Sequence, residues 1–143
     1  MSKQEKKPSK DVQKQYMEFQ ILNQQLQQLQ QQAGMIENQI IELRKLNDNL
    51  DSIKQLKGNN ELLVPMGAGI FMKAQLKDNN ELLINVGSDV IVKKTFLESK
   101  EMLESQLNEL ESIMENANEQ VSELATQLEL RSQALQDIEN SLQ

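Results

Sequence analysis

Two stretches of the chain repeat their apolar residues every seven positions, which is the spacing of a coiled coil. The first runs from about Asp11 to Leu56, and its apolar residues form two staggered series. One series is Val12, Phe19, Leu26, Ala33, Ile40 and Asn47, and the other is Gln15, Leu22, Leu29, Ile36, Leu43 and Leu50. We call these the seam positions, and only Gln15 and Asn47 are polar among them. A repeat sustained over this length predicts a coiled-coil helix.

The second stretch runs from about Leu97 to Leu142 and has the same organisation. One series is Phe96, Leu103, Leu110, Ala117, Leu124, Arg131 and Ile138, and the other is Lys100, Leu107, Met114, Val121, Leu128, Leu135 and Leu142. Only Lys100 and Arg131 break the apolar rule. Glu and Gln fill much of the remaining helix surface, which is typical of a helix that is solvated on its outer side.

A helix with a single apolar stripe is unstable in isolation, because most helical stability in proteins comes from packing. Two stripes of matching length in one chain bury each other most simply, and the forty residues between them allow the chain to reverse. The sequence therefore predicts an antiparallel pair of long helices. Gly34 lies inside the first helix, where it is either a flexible joint or a locally tolerated weak position.

The middle of the chain contains an internal repeat of twenty residues. NNELLVPMGAGIFMK at 59–73 aligns with NNELLINVGSDVIVK at 79–93, and seven of the fifteen positions are identical. Each copy is an apolar run, a turn containing Gly, and a second apolar run. The turns are Gly67-Ala68-Gly69 and Gly87-Ser88-Asp89. This pattern predicts two β-hairpins with short loops.

Isolated hairpins do not form a stable sheet, and their unpaired edges favour pairing with another chain. We therefore expect the hairpins to be an assembly element, although packing onto their own helices is the alternative. The predicted assembly residues are apolar residues of the two hairpins: Leu62, Val64, Met66, Ile70, Phe71, Met72, Leu82, Ile84, Val86, Val90 and Val92.

The sequence thus predicts a mainly α protein in four parts. Residues 1–10 are expected to be disordered, residues 11–57 form the first coiled-coil helix, residues 58–95 form the double hairpin, and residues 96–143 form the second helix. The chain carries a net charge of −7, which argues against binding to nucleic acid or to anionic membranes. It has no apolar run of about 20 residues and no secretory signal at its start, and its lack of Cys is compatible with a reducing cytosol.

The side chains that most enzymes depend on are missing. The sequence contains no His and no Cys, so the commonest general base, the commonest metal ligand and the thiol nucleophile are absent. The glycines at 67–69 are not followed by the Lys and Ser or Thr of a phosphate-binding loop. The many Glu residues of the second helix are best explained as its solvated face. We therefore predict a protein that is not an enzyme and that uses no cofactor or metal.

The order of helix, two hairpins and helix resembles the prefoldin alpha subunit family. The first hairpin matches the family stretch LVPxGxG at Leu63, Val64, Pro65, Gly67 and Gly69. The second carries Val86-Gly87, but Asp89 stands where the family usually has Gly. The resemblance is architectural over residues 11–142, and its sequence-specific part is about 35 residues. The duplicated hairpin favours the alpha class, because beta subunits carry one hairpin.

This resemblance implies a definite assembly and activity. Two alpha and four beta subunits of prefoldin join through β-barrels built from their hairpins, and six coiled-coil arms project from this body. The family is an ATP-independent holdase that captures unfolded proteins between the arm tips and passes them to a group II chaperonin. We therefore expect a subunit of a hexamer, of archaeal type, with prefoldin beta-type subunits, unfolded client proteins and a chaperonin as partners.

The two chain ends meet at the tip of an antiparallel pair of helices, where fraying exposes seam residues. The predicted client-binding residues lie there: Tyr16, Met17, Phe19, Ile21, Leu22, Leu135, Ile138 and Leu142. Ordinary coiled-coil packing up to the tip is the alternative explanation for these residues. A structural coiled-coil scaffold with the hairpins as a dimerisation clamp is the alternative function.

Overall fold

The computed structural model describes residues 10–56, 61–78 and 80–141. Its elements in chain order are α1 (Lys10–Gln55), β1 (Glu61–Gly67), β2 (Ile70–Gln75), β3 (Glu81–Asn85), β4 (Ile91–Thr95) and α2 (Phe96–Ser141). The predicted mainly α fold, with two long helices and two central hairpins, is confirmed. Except for Lys10, which begins α1, the predicted disordered segment lies outside the described residues, as does Leu142.

The seam of both helices is where the heptad pattern predicts it. Every described seam position is buried or half-buried, including the four polar exceptions. The most deeply buried apolar side chains all belong to the seam: Ala33, Ile40, Leu50, Leu103, Leu128 and Leu135. The apolar periodicity therefore translates directly into helix packing.

The chain divides into two compact units, each holding part of α1 and part of α2. The first unit comprises Met1–Asn38 and Ser112–Gln143, and the second comprises Gln39–Glu111. In the first unit Glu18 contacts Arg131. In the second, Arg44 Nη2 lies 3.0 Å from Glu111 Oε1. Within the first unit the earlier Tyr16 contacts the later Glu139, and within the second unit the later Asn47 contacts the earlier Lys100. The two helices therefore run antiparallel inside each unit, as predicted.

The start of α2 is fixed by a capping interaction directly after β4. The Glu98 amide donates a hydrogen bond to Thr95 Oγ1 at 3.1 Å, so Thr95 is the N-cap and Glu98 is the third helical residue. The Phe96 amide donates to the Asn80 carbonyl at 3.0 Å, which ties the first turn of α2 to the beginning of β3. This local chemistry sets where the second hairpin ends and the helix begins.

Each hairpin is an antiparallel two-stranded sheet with a two-residue turn. In the first, Leu62 faces Ala74 and Val64 faces Met72, and an irregularity between Pro65 and Gly67 leaves Met66 as an extra residue. In the second, Leu82 faces Lys94, Leu83 faces Lys93 and Ile84 faces Val92. Because β1 pairs with β2 and β3 pairs with β4, the described strands form two separate sheets and no closed barrel.

Candidate functional site

The first hairpin exposes apolar side chains on both of its faces. Val64 and Met72 face each other across the strands and are exposed, whereas Leu62 and Ala74 on the same face are half-buried. On the opposite face Leu63 is also exposed. A two-stranded sheet with this much exposed apolar surface is unusual for a protein that stays monomeric.

The second hairpin has one face against its helices and one face open. Leu82 and Ile84 are half-buried and, with Leu50 and Leu103 from the helices, line a groove of about 370 Å³. The side chain of Leu83, which points to the other face, is exposed. This hairpin therefore packs partly on its own helices and still presents apolar surface to solvent.

The predicted assembly residues fall into two groups. The exposed ones are Val64, Met66, Ile70, Phe71, Met72, Val86 and Val90, and the half-buried ones are Leu62, Leu82, Ile84 and Val92. The structure adds three exposed apolar residues that the sequence reasoning left out: Leu63, Leu83 and Ile91. The same alternation of strand residues, applied to the opposite face, is the signal that would have found them.

A groove at the end of the helix pair brings three predicted client-binding residues together. Tyr16, Phe19 and Leu135 line a groove of about 450 Å³, along with Glu139. The Tyr16 hydroxyl donates a hydrogen bond to the Glu139 carboxylate. This bond, with smaller contributions from burial and from the charge of Glu139, raises the pKa of Tyr16 above its ordinary value. The groove is thus lined by both apolar and polar side chains, with the Glu139 carboxylate among them.

A second groove, of about 330 Å³, is lined by the charged residues Glu18 and Arg131 and by Gln15, Leu130 and Ala134. Arg131 donates a hydrogen bond to the Glu18 carboxylate. That bond lowers the pKa of Glu18, with Arg131 and Lys14 adding favourable charge interactions. Leu130 is exposed beside the ion pair, and the sequence reasoning did not select it.

The remaining predicted client-binding residues differ in exposure. Met17 and Ile21 lie off the seam and are 62% and 51% exposed, so they are accessible as the structure stands. Leu22 and Ile138 are half-buried in the seam. Leu135 is only 7% exposed, so it becomes accessible only if the helix ends separate.

The described part of the chain gives no sign of a metal site or a membrane span. No group of three or more Asp or Glu side chains in residues 10–56, 61–78 and 80–141 is placed to hold a metal ion. Neither helix, over its described length, has an apolar stretch long enough to cross a bilayer.

Comparison with known proteins gives the family. The family model described as Prefoldin subunit matches residues 22–141, so the chain belongs to the prefoldin family. It is similar to two archaeal proteins named Prefoldin subunit alpha. It is 38% identical over 66 residues to one from Methanococcus maripaludis and 36% identical over 66 residues to one from Methanococcus vannielii. The expected resemblance to the alpha class is confirmed.

The coverage of these relatives is partial. The matched segments cover 46% of this chain, and 44% and 43% of the two relatives, so the chain aligns with less than half of their length. A cryo-EM structure of filamentous PFD from Methanocaldococcus jannaschii is similar with a TM-score of 0.68 and 20% identity, covering 77% of this chain and 91% of that one. At 20% identity, this structural similarity shows that the two chains share a fold, and it shows nothing more.

Proposed function

We propose that the chain is the alpha-type subunit of an ATP-independent chaperone that holds unfolded proteins at the ends of its paired helices. The observation that carries the proposal is the groove in which Tyr16, Phe19 and Leu135 meet, with Met17 and Ile21 exposed beside it. Apolar groups that are accessible in part, and more so when the helix ends open, suit the binding of apolar segments of non-native proteins. Met17 adds an adaptable side chain.

The hairpins join this subunit to others in the proposed complex. Apolar residues are exposed on both faces of the first hairpin and on one face of the second. The chain itself therefore leaves this apolar surface uncovered. Strands supplied by prefoldin beta-type subunits would pair with the open edges and close a β-barrel. Two alpha and four beta subunits form the proposed hexamer, which allows several weakly binding helix ends to act together.

The proposed activity needs no catalytic group, nucleotide or metal. The complex holds the unfolded protein and then passes it to a group II chaperonin in the cytoplasm. The net charge of −7 favours clients that carry basic residues beside their apolar segments.

Suppression of aggregation tests the proposal directly. The full chain is assembled with a beta-type subunit and added to a thermally unfolding test protein, and aggregation is followed by light scattering without ATP. We expect the complex to suppress aggregation, and we expect the double variant Met17→Gln with Ile21→Gln to suppress it less. Undiminished aggregation in the presence of the correctly assembled wild-type complex would refute the proposal and favour the structural scaffold.

A matched control separates the helix ends from apolar surface in general. Met35 and Ile113 are also exposed apolar residues on the helices of the first unit, and neither is among the predicted client-binding residues. The variant Met35→Gln with Ile113→Gln removes the same number of apolar side chains. It is expected to suppress aggregation as well as the wild type does. An equal loss in both double variants would show that the helix ends have no special role.

A further inference from the structure

The four polar residues that interrupt the apolar seam do not occur singly in the structure. Lys100 donates a hydrogen bond to Asn47 Oδ1, and its Nζ lies 2.6 Å from Asp51 Oδ1. We call these three residues the Lys100 layer. Arg131 pairs with Glu18, and Gln15 lines the same groove, so Gln15, Glu18 and Arg131 form the Arg131 layer. Every polar break in one helix is therefore matched by polar residues of the other.

The two layers differ in their surroundings. The Lys100 side chain is 17% exposed. Buried Leu103 follows Lys100 by three residues in α2, and buried Leu50 follows Asn47 by three residues in α1. The Arg131 side chain is 41% exposed. Between Arg131 and the end of α2, Leu135, at 7% exposed, is the one described seam residue that is buried. The Arg131 layer thus lies between the buried seam residues Leu128 and Leu135, and beyond it the described seam of α2 holds only Leu135 and half-buried Ile138.

We propose that the Arg131 layer controls how readily the last turns of the two helices separate, and so regulates access to the client-binding residues. This inference rests on the proposed function. The segments concerned are residues 10–18 and residues 132–141, which include Tyr16, Leu135 and Ile138. A half-exposed ion pair holds a helix seam together more weakly than apolar packing does, and salt weakens it further. Separation of the two helices that starts at residues 10 and 141 should therefore require little free energy as far as the Arg131 layer, and more beyond it.

Two substitutions at this layer shift the opening in opposite directions. Arg131→Leu makes the seam apolar and should hold the last turns together. Glu18→Gln leaves the guanidinium in the seam without its carboxylate and should release them, because an uncompensated charge between helices opposes pairing. A change of roughly two- to five-fold in the opening equilibrium is expected for each, in line with measured half-exposed pairs. If Arg131 and Glu18 were merely tolerated in the seam, the two substitutions would not shift the opening equilibrium in opposite directions.

Amide hydrogen exchange of the assembled complex measures the opening, and aggregation suppression measures its consequence. In Arg131→Leu, exchange in residues 10–18 and 132–141 should slow and suppression should weaken, whereas Glu18→Gln should speed exchange. Raising the salt concentration should speed exchange of these residues in the wild type, because salt screens the ion pair between Glu18 and Arg131. Exchange in Arg131→Leu should be largely unaffected, since this variant lacks that pair.

The Lys100 layer supplies the matched control. Lys100→Leu makes the same kind of change in the second unit, where none of the proposed client-binding residues lies. Exchange near residue 100 should change, while exchange in residues 10–18 and client suppression stay as in the wild type. Assembly of each variant is checked by its mass in solution, so that a folding defect is not mistaken for a regulatory effect.

The outcomes separate this inference from the function on which it rests. If the wild-type complex fails to suppress aggregation, the proposed function is wrong. If the wild type suppresses aggregation but Arg131→Leu slows exchange without weakening suppression, the function stands and the regulatory role of the layer is refuted. Unchanged exchange in both Arg131→Leu and Glu18→Gln also refutes it, because the layer would then have no influence on opening.

Discussion

At the scale of single residues, the hairpin turns hold three non-glycine residues in the left-handed backbone region. Ala68 and Ser88 have φ of 50°, and Asp89 has φ of 60°. The glycines before the two turns have nearly equal φ values, 119° for Gly67 and 117° for Gly87, so the sequence repeat is also a structural repeat. Asp89 adopts this conformation because Asp tolerates the left-handed region better than most residues.

Ala68→Gly is expected to stabilise the protein by about 1 kcal/mol, because glycine removes the steric cost of a Cβ at positive φ. Chemical denaturation of the full chain measures the change. Ala74→Gly is the control, since Ala74 lies in the extended strand β2. There the same substitution should destabilise by about 0.5–1 kcal/mol. Destabilisation by both changes would mean that the turn is not strained.

The Glu18 carboxyl gives a prediction about pH. The hydrogen bond from Arg131 lowers the pKa of Glu18 below its ordinary value, so the folded-state pKa is below the unfolded-state pKa. The contribution of this pair to stability is therefore present above the unfolded-state pKa and is lost as the pH falls through the folded-state pKa. We expect acidification to loosen the contact between Glu18 and Arg131, as followed by an NMR titration of the Glu18 side chain.

Arg131→Gln should return the pKa of Glu18 towards its ordinary value, because the main cause of the shift is removed. Arg44→Gln is the matched control. It removes a guanidinium that contacts Glu111 and lies in the other unit, so the Glu18 titration should not change. A Glu18 pKa that stays equally low in Arg131→Gln contradicts the assignment.

The seam shows how far residue-level features follow from sequence. The heptad pattern predicted every described seam position, and it also identified the four polar exceptions. It did not reveal that Lys100 meets Asn47 or that Arg131 meets Glu18. Those pairs depend on the register between two helices far apart in the chain, and a spacing within one helix carries no information about that register.

At the scale of elements, α1 contains a glycine where a longer side chain would fit. Gly34 lies within the helix, and nothing is found within 4 Å of the place where a Cβ would stand. Gly34→Ala should therefore stabilise the protein by about 1 kcal/mol through helix propensity alone. Ala125→Gly, at an exposed position of α2, should have the opposite effect of similar size. Thermal and chemical unfolding of both variants measure the two changes.

The same Gly34→Ala variant decides between the two roles considered for this glycine. If suppression of aggregation is kept while stability rises, Gly34 is simply tolerated. If suppression falls although the complex is more stable, the glycine acts as a flexible joint. Stability that fails to rise would contradict the expected gain in helix propensity.

The hairpins were predicted as elements because turn residues and strand alternation are local signals. The extra residue at Met66 and the open faces bearing Leu63, Leu83 and Ile91 were not. The solvated face of a strand is normally recognised by its polar residues, so a strand with apolar residues on both faces has no single inward side. In the proposed complex, partner chains rather than the strand itself would decide which face is covered.

At the scale of the whole molecule, the exposed hairpin residues lead to a prediction about assembly. Phe71 and Leu83 are both exposed, and each side chain has only part of its surface covered by its own chain. Covering them in a complex should contribute about 3 kcal/mol together, or roughly a hundredfold in the dissociation constant. The variant Phe71→Gln with Leu83→Gln should therefore weaken association with a beta-type subunit by about that factor.

The control for this prediction uses polar neighbours on the same faces of the same hairpins. Lys73 faces Leu63 and Lys93 faces Leu83, and the contact of 3.9 Å between Lys73 and Glu61 is exposed and of little energetic importance. Lys73→Gln with Lys93→Gln should leave assembly unchanged in size-exclusion chromatography with light scattering. Equal weakening in both double variants would point to general loss of hairpin structure. A fully assembled Phe71→Gln, Leu83→Gln variant would show that the subunits join through some other surface, because no interface that buries these side chains could lose both without loosening.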